Sequence, residues 1–181
     1  MIYYFLCCIS FFPGPNNLIL AQIGKEIGFK KGITALFGIS LGIPFMIFTM
    51  QKLLLLLNIN YLNLNTFIYY LSIIFIFLFI KIKRNIKIIG FFNIILLQYI
   101  NPKSWITLIY FYKILHKNND YIIIIFINYF FILLLSSAFW LYLGTFVKNK
   151  NNKKLNIIFN RFLNILSFIP LFFLIYNIIT M

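Results

Sequence analysis

Long stretches of this chain carry no charge at all. They fall at residues 1–24, 32–51, 53–80, 88–102, 121–147 and 162–181, with short basic clusters near their ends. A soluble helix or strand has one face to bury and one to wet, so polar residues break its apolar runs every few positions. Runs of roughly 20 apolar residues instead match the ~30 Å hydrocarbon core of a bilayer. Composition agrees. Of the 181 residues 63% are apolar or aromatic and 10% are charged, against about half and a quarter in an ordinary soluble domain. So few charges cannot cover this much Phe, Ile and Leu, which excludes a soluble monomer, a disordered chain and a collagen-like one. Six spanning helices use about 120 residues, leaving short loops and no room for a soluble domain.

The interruptions define the spans. Asn58, Asn60, Asn63 and Asn65 divide the 53–80 stretch as a polar loop. The expected fold is an all-α integral membrane protein, one domain over 1–181 with six transmembrane helices. These spans 1 to 6 cover about 2–24, 32–57, 66–83, 88–112, 121–147 and 155–179. Residues 2–24 have no basic leader, and Pro13, Gly14 and Pro15 interrupt them, so they read as a true span rather than a cleaved signal. Lys25, Lys30 and Lys31 follow span 1. Lys81, Lys83, Arg84 and Lys87 follow span 3. Lys148, Lys150, Lys153 and Lys154 follow span 5. Basic loops face the cytoplasm, so both termini are expected outside.

The net charge of +14 in a soluble protein suggests nucleic acid. Here the cations read as topology signals and contacts with anionic lipid, and no nucleic-acid partner is expected. Cys7 and Cys8 are adjacent within an apolar run and read as buried small hydrophobes, neither a disulfide framework nor a zinc site. No metal or cofactor is expected. Glu26 and Asp120, the only acids, fall in loops, with Glu26 a solvated partner for Lys25 or Lys30. His116 reads as a loop residue.

Two segments stand out. Phe12-Pro13-Gly14-Pro15-Asn16-Asn17 breaks span 1, and Gln98-Tyr99-Ile100-Asn101-Pro102-Lys103 breaks span 4. By helical rise each lies roughly 20 Å from one end of its span, near mid-bilayer. The two spans are three apart and run in opposite directions. Paired breaks of this kind in two inverted three-helix repeats, here about 1–84 and 85–181, point to a transporter binding site. Proline lacks an N–H and obstructs the carbonyl four residues back. Open backbone at that depth survives only where protein or a wet cavity satisfies it. Asn101 followed by Pro102 reads as an N-cap with proline at the first helical position, and Pro15 after Gly14 starts a half-helix in the same way. Each half-helix N-terminus carries partial positive charge. With Lys103 beside one of them, the pair suits a carboxylate.

Pro13-Gly14-Pro15-Asn16-Asn17-Leu18, Gly28-Phe29-Lys30-Lys31-Gly32 and Leu36-Phe37-Gly38-Ile39-Ser40-Leu41-Gly42 resemble the N-terminal signature of the LysE/RhtB amino-acid exporter family. Gln98-Tyr99-Ile100-Asn101-Pro102-Lys103-Ser104-Trp105 resembles the Asn-Pro-Lys motif of its fourth helix, most like the branch that exports cysteine and O-acetylserine. The likeness covers about residues 10–50 and 90–106. It implies an inner-membrane exporter of amino acids or close derivatives, commonly driven by the proton gradient. The chain departs from the family where Ile43 and Pro44 follow Gly42 in place of an acid, in the absence of glycines from 68–80, and in a segment between spans 3 and 4 shortened to about 81–87.

Gly24, Gly28 and Gly32, and likewise Gly38 and Gly42, recur every four residues. That spacing lets helix backbones approach closely, so tight packing is expected of spans 1 and 2. Gly28 and Gly24 also suit the loop between them. Trp105, Trp140 and the tyrosines read as membrane aromatics, with Trp140 interfacial or lipid-facing. Ser136, Ser137 and Asn128 are expected to bond neighbouring helices or their own backbone.

The function expected is a secondary transporter exporting a small amino acid or derivative. Lys103 and the N–H groups after Asn101 and Pro15 would hold the carboxylate. Asn16, Asn17 and Gln98 would accept from the ammonium, and Pro13, Gly14 and Pro102 would shape the open backbone. The partners are then the amino acid, the lipid bilayer and, as an option, a second copy of the chain. The alternative is a non-transporting subunit of a membrane complex or an eroded, inactive carrier. An enzyme is not expected, since no histidine cluster, carboxylate pair or nucleophile–base pair is present.

Overall fold

The computed structural model describes residues 2–56, 90–115 and 122–149, with 154–155, 157–159, 161 and 162. All secondary structure among them is helical. In chain order the helices are α1 (Ile2–Phe11), α2 (Pro15–Ile27), α3 (Phe29–Leu56), α4 (Phe91–Gln98), α5 (Pro102–Leu115) and α6 (Ile122–Asn149). Expected span 3, most of span 6, the asparagine loop, the basic segment 81–87, His116 and Asp120 lie outside the described residues.

Span 1 is two helices because its prolines remove backbone donors. Residues 12–14 lie between α1 and α2, which meet at a bend of 49°. Gly14 takes an extended conformation ahead of Pro15 at the first helical position of α2. Gly28, at φ 88°, then turns the chain directly into α3, and its N–H bonds to the Gly24 carbonyl. A side chain is strained at that φ, so glycine is required. The basic loop expected at 25–31 is thus a corner, with helix running through Lys25 on one side and from Phe29 on the other. Gly24 belongs to α2 rather than to a loop. The Lys148 ammonium donates to the Glu26 carbonyl at 3.1 Å, which brings the end of α6 to the same corner. Lys25, Lys30, Lys31 and Lys148 are therefore gathered at one end of the bundle.

α2 is the central helix. Asn16 to Ala21, Ile23 and Gly24 are all buried. α6 packs along it, and α3 packs on α4, α5 and α6. α2 and α6 touch backbone to backbone. A Cβ on Gly24 would run into the Leu141 carbonyl, and one on Gly144 into the Ala21 carbonyl, whose carbon would be 2.7 Å away. The closest approach of span 1 is therefore to span 5, with Gly144 as a contributor that the glycine spacing did not point to. Gly38 and Gly42 do pack on a neighbouring helix. They seat Ile94 and Gln98 of α4 at 3.0 Å from where their Cβ atoms would be.

The outward faces of α3 and α6 are apolar as well. Ile33, Phe37, Leu41, Phe45 and Phe48 on α3 are exposed, as are Ile127, Phe131, Leu135 and Tyr142 on α6. A helix that is apolar all round suits a membrane and not water. Phe29–Met50 and Ile123–Lys148 are each long and apolar enough to cross one, and the bent pair Tyr3–Phe11 and Pro15–Ile27 makes a third span if counted together. Cys7 and Cys8 are exposed rather than buried, because α1 turns Leu6 and Ser10 inward. Trp140 is buried, 5% exposed, and not lipid-facing.

Candidate functional site

The two breaks are 82 residues apart in sequence at their Asn16–Gln98 pair, and the fold puts them side by side. Asn16 Nδ2 donates to Gln98 Oε1 at 2.6 Å, Gln98 Nε2 donates to the Ile94 carbonyl at 2.8 Å, and Ser104 Oγ donates to Gln98 Oε1 at 3.4 Å. Lys103 Nζ donates to the Phe12 carbonyl at 2.8 Å. The lysine stem lies against Gly14, where a Cβ would come within 3.1 Å of Cδ. Glycine at 14 therefore makes room for Lys103 as well as opening the helix.

Each break satisfies its backbone with side chains. In an unbroken helix the Ser10 and Phe12 carbonyls would accept from residues 14 and 16. Here Asn17 Nδ2 donates to Ser10 O at 2.9 Å and to Phe12 O at 2.8 Å. Ser136 Oγ on α6 also donates to Ser10 O, at 2.7 Å, and Trp140 Nε1 donates to Phe11 O at 3.3 Å. Trp140 is thus held inside by a carbonyl that Pro15, having no N–H, cannot serve. In the second break, Asn101 Oδ1 accepts from the Lys103 N–H at 3.1 Å, the expected N-cap of the helix that starts at Pro102. Trp105 Nε1 donates to the Tyr99 carbonyl at 2.8 Å.

Of the residues expected at the site, Pro13, Gly14, Pro15, Asn16 and Asn17 form the first break, and Gln98, Asn101, Pro102 and Lys103 the second. Side-chain contacts join the two. The amides differ from expectation in one respect. The Lys103 N–H is taken by the Asn101 cap, and those of Ser104 and Trp105 bond to the Asn101 carbonyl at 3.0 and 3.4 Å. The N-terminal amides of α2, at Asn16 and Asn17, lie in the first turn, which helix geometry leaves without intrahelical acceptors.

Between the breaks, α3 and α6 lies a cavity of about 10 Å³, about the room of one water. Asn16, Asn17, Asn101 and Lys103 line it, and so do hydroxyls not among the residues expected at the site: Ser10, Ser104, Thr107, Tyr129, Ser136 and Ser137. Ser136 and Ser137 do bond neighbouring helices, Ser137 through Ser40 Oγ at 3.5 Å. Asn101 Nδ2 is buried with no hydrogen-bond partner, and Asn101 is 0% exposed. A buried amide hydrogen without an acceptor is costly, so this one marks where a ligand oxygen or a water would be welcome. A serine or threonine on a long apolar helix gives no sign of which neighbour it meets. Only the packing of α5 and α6 around the breaks gathered these six. Glu26 is elsewhere, accepting from Gln22 Nε2 at 2.9 Å. Among the described residues no cluster of His, Cys, Asp or Glu could hold a metal.

No family model, curated protein or solved structure matches the chain.

Proposed function

We propose that the chain is a secondary transporter that exports small amino acids or close derivatives across the bacterial inner membrane. The observation that carries this reading is the meeting of two proline-broken helices through Lys103 and Phe12, and through Asn16 and Gln98. A cation, free helix-terminal amides, break carbonyls held only by side chains and buried hydroxyls at one place offer a partner to every group of a zwitterion. The described core around it is mostly apolar, so this polarity has a stability cost that function would explain. The motifs resembling the LysE/RhtB exporters point the same way.

In this reading the carboxylate lies against the Asn16 and Asn17 amides and Lys103. The ammonium goes to the side-chain oxygens of Asn16, Asn17 and Gln98 and to break carbonyls that their side-chain donors give up. The remaining runs complete six spans in two inverted repeats, with both termini outside. The cavity holds about one water, so loading requires α5 and the first break to part.

The test is efflux of labelled amino acids from proteoliposomes containing the purified chain. Saturable efflux of at least one small neutral amino acid is expected. Efflux no faster than from protein-free liposomes across the panel would leave the inactive or non-transporting subunit in its place.

A further inference from the structure

Three carbonyls at the end of α1 have lost their helical donors, and each has been given side-chain donors instead. Those at Ser10 and Phe11 come from Asn17, Ser136 and Trp140. The Phe12 carbonyl takes Asn17 Nδ2 and Lys103 Nζ, both at 2.8 Å. A carbonyl oxygen has two lone pairs, so Phe12 is fully used. Of these donors only Lys103 is a charged group on a long flexible stem, reaching over from α5. The adjoining cavity has room for about one water. The ammonium of an incoming amino acid therefore reaches Phe12 only if the ammonium of Lys103 leaves. A carboxylate supplies the reason to leave, because a hydrogen bond to an ionised acceptor is roughly twice as strong as one to a neutral carbonyl.

We propose that the Lys103 ammonium is a built-in stand-in for the substrate's α-ammonium, and that it exchanges the Phe12 carbonyl for the α-carboxylate when a free zwitterionic amino acid binds. This deepens the carrier reading and rests on it. No proton is transferred: Lys103 keeps its charge, the substrate keeps both of its own, and the Phe12 carbonyl changes one ammonium for another. The site then recognises the two ends of its substrate jointly. An amine lacking a carboxylate has nothing to draw Lys103 away and is repelled by it. An N-acylated acid draws it away but leaves the Phe12 carbonyl short of a donor. Among the described residues lining the cavity from α1, α2, α3, α5 and α6, Lys103 is the one charged group and Tyr129 the other titratable one, so no second ion confuses the exchange.

The experiment measures binding of L-serine, L-serinamide and N-acetyl-L-serine to the full chain in lipid nanodiscs. The parent is expected to bind serine at least tenfold more tightly than either analogue. In Lys103→Met the order inverts: serine weakens, and serinamide, whose ammonium finds the Phe12 carbonyl open, binds at least as tightly as serine. Lys103→Gln is run beside it, so that a folding failure of one variant leaves the other to decide; size-exclusion profiles identify the folded one. A parent that binds serinamide as well as serine overturns the proposal. So does a folded variant that loses all three ligands, since Lys103 is then a required ligand and not a stand-in. A parent that binds none of serine, alanine and cysteine overturns the carrier reading itself, a result read on the parent alone.

Discussion

Asn17 shows how one side chain can hold a helix break open. Its amide donates to Ser10 and Phe12 and bridges the gap that Pro13 and Pro15 create. Asn17→Ala removes both bonds but leaves each carbonyl one other donor, Ser136 or Lys103. The expected loss is about 1–3 kcal/mol, the range for a buried polar group losing partners, read as a lower melting temperature in detergent. An unchanged melt would mean that the break stands without it. Asn101 separates two roles of one amide. Its oxygen caps α5, while its nitrogen is unpartnered. Asn101→Ala forfeits the cap and should cost ~1 kcal/mol. Asn101→Ser keeps a capping oxygen, drops the orphan nitrogen, and should melt above the alanine variant. The reverse order would show that an oxygen at this position does not cap α5.

At the scale of elements, the α2–α6 crossing depends on absent side chains. Alanine at Gly144 places a methyl against the Ala21 carbonyl, a fixed backbone atom that cannot turn aside as a side-chain end can. Overpacking of this kind typically costs ~1–3 kcal/mol, and more where the backbone must move. Gly144→Ala is therefore expected to lower the melting temperature sharply. Gly90→Ala, with none of the described residues within 4 Å, should leave it nearly unchanged. Equal melts for the two would mean that the helices do not cross here. The spacing of Gly24, Gly28 and Gly32, and of Gly38 and Gly42, marked spans 1 and 2 for close approach, but a spacing carries no address. On the partner, α6, Gly144 completes the contact that Gly24 makes with the Leu141 carbonyl, and it is a single glycine with no periodic neighbour.

For the molecule as a whole, the contact of Lys148 with Glu26 ties the end of α6 to the α2–α3 corner. Cysteines introduced at Lys30 and Lys148, with Cys7 and Cys8 replaced by serine, should both label from one side of a sealed vesicle, and by the positive-inside rule that side is the cytoplasmic one. Labelling from opposite sides would sink this arrangement and the six-span reading with it.

Charge-free runs, basic clusters and prolines are local signals, and what they determine is local. Among the described residues they mark which segments are helical and apolar, where spans 1 and 4 break, and which residue caps α5. The helices begin at Pro15 and Pro102 because proline chemistry acts on its immediate neighbours. Which break meets which, and through what atoms, is not local. Lys103 meets Phe12, Asn16 meets Gln98, and the hydroxyls of α5 and α6 surround them only once α2 is enclosed by α3 and α6. Trp140 illustrates the limit. Its aromatic ring suits lipid as well as core, and only the orphaned carbonyl of Phe11, supplied by a helix far away in sequence, decided that it points inward.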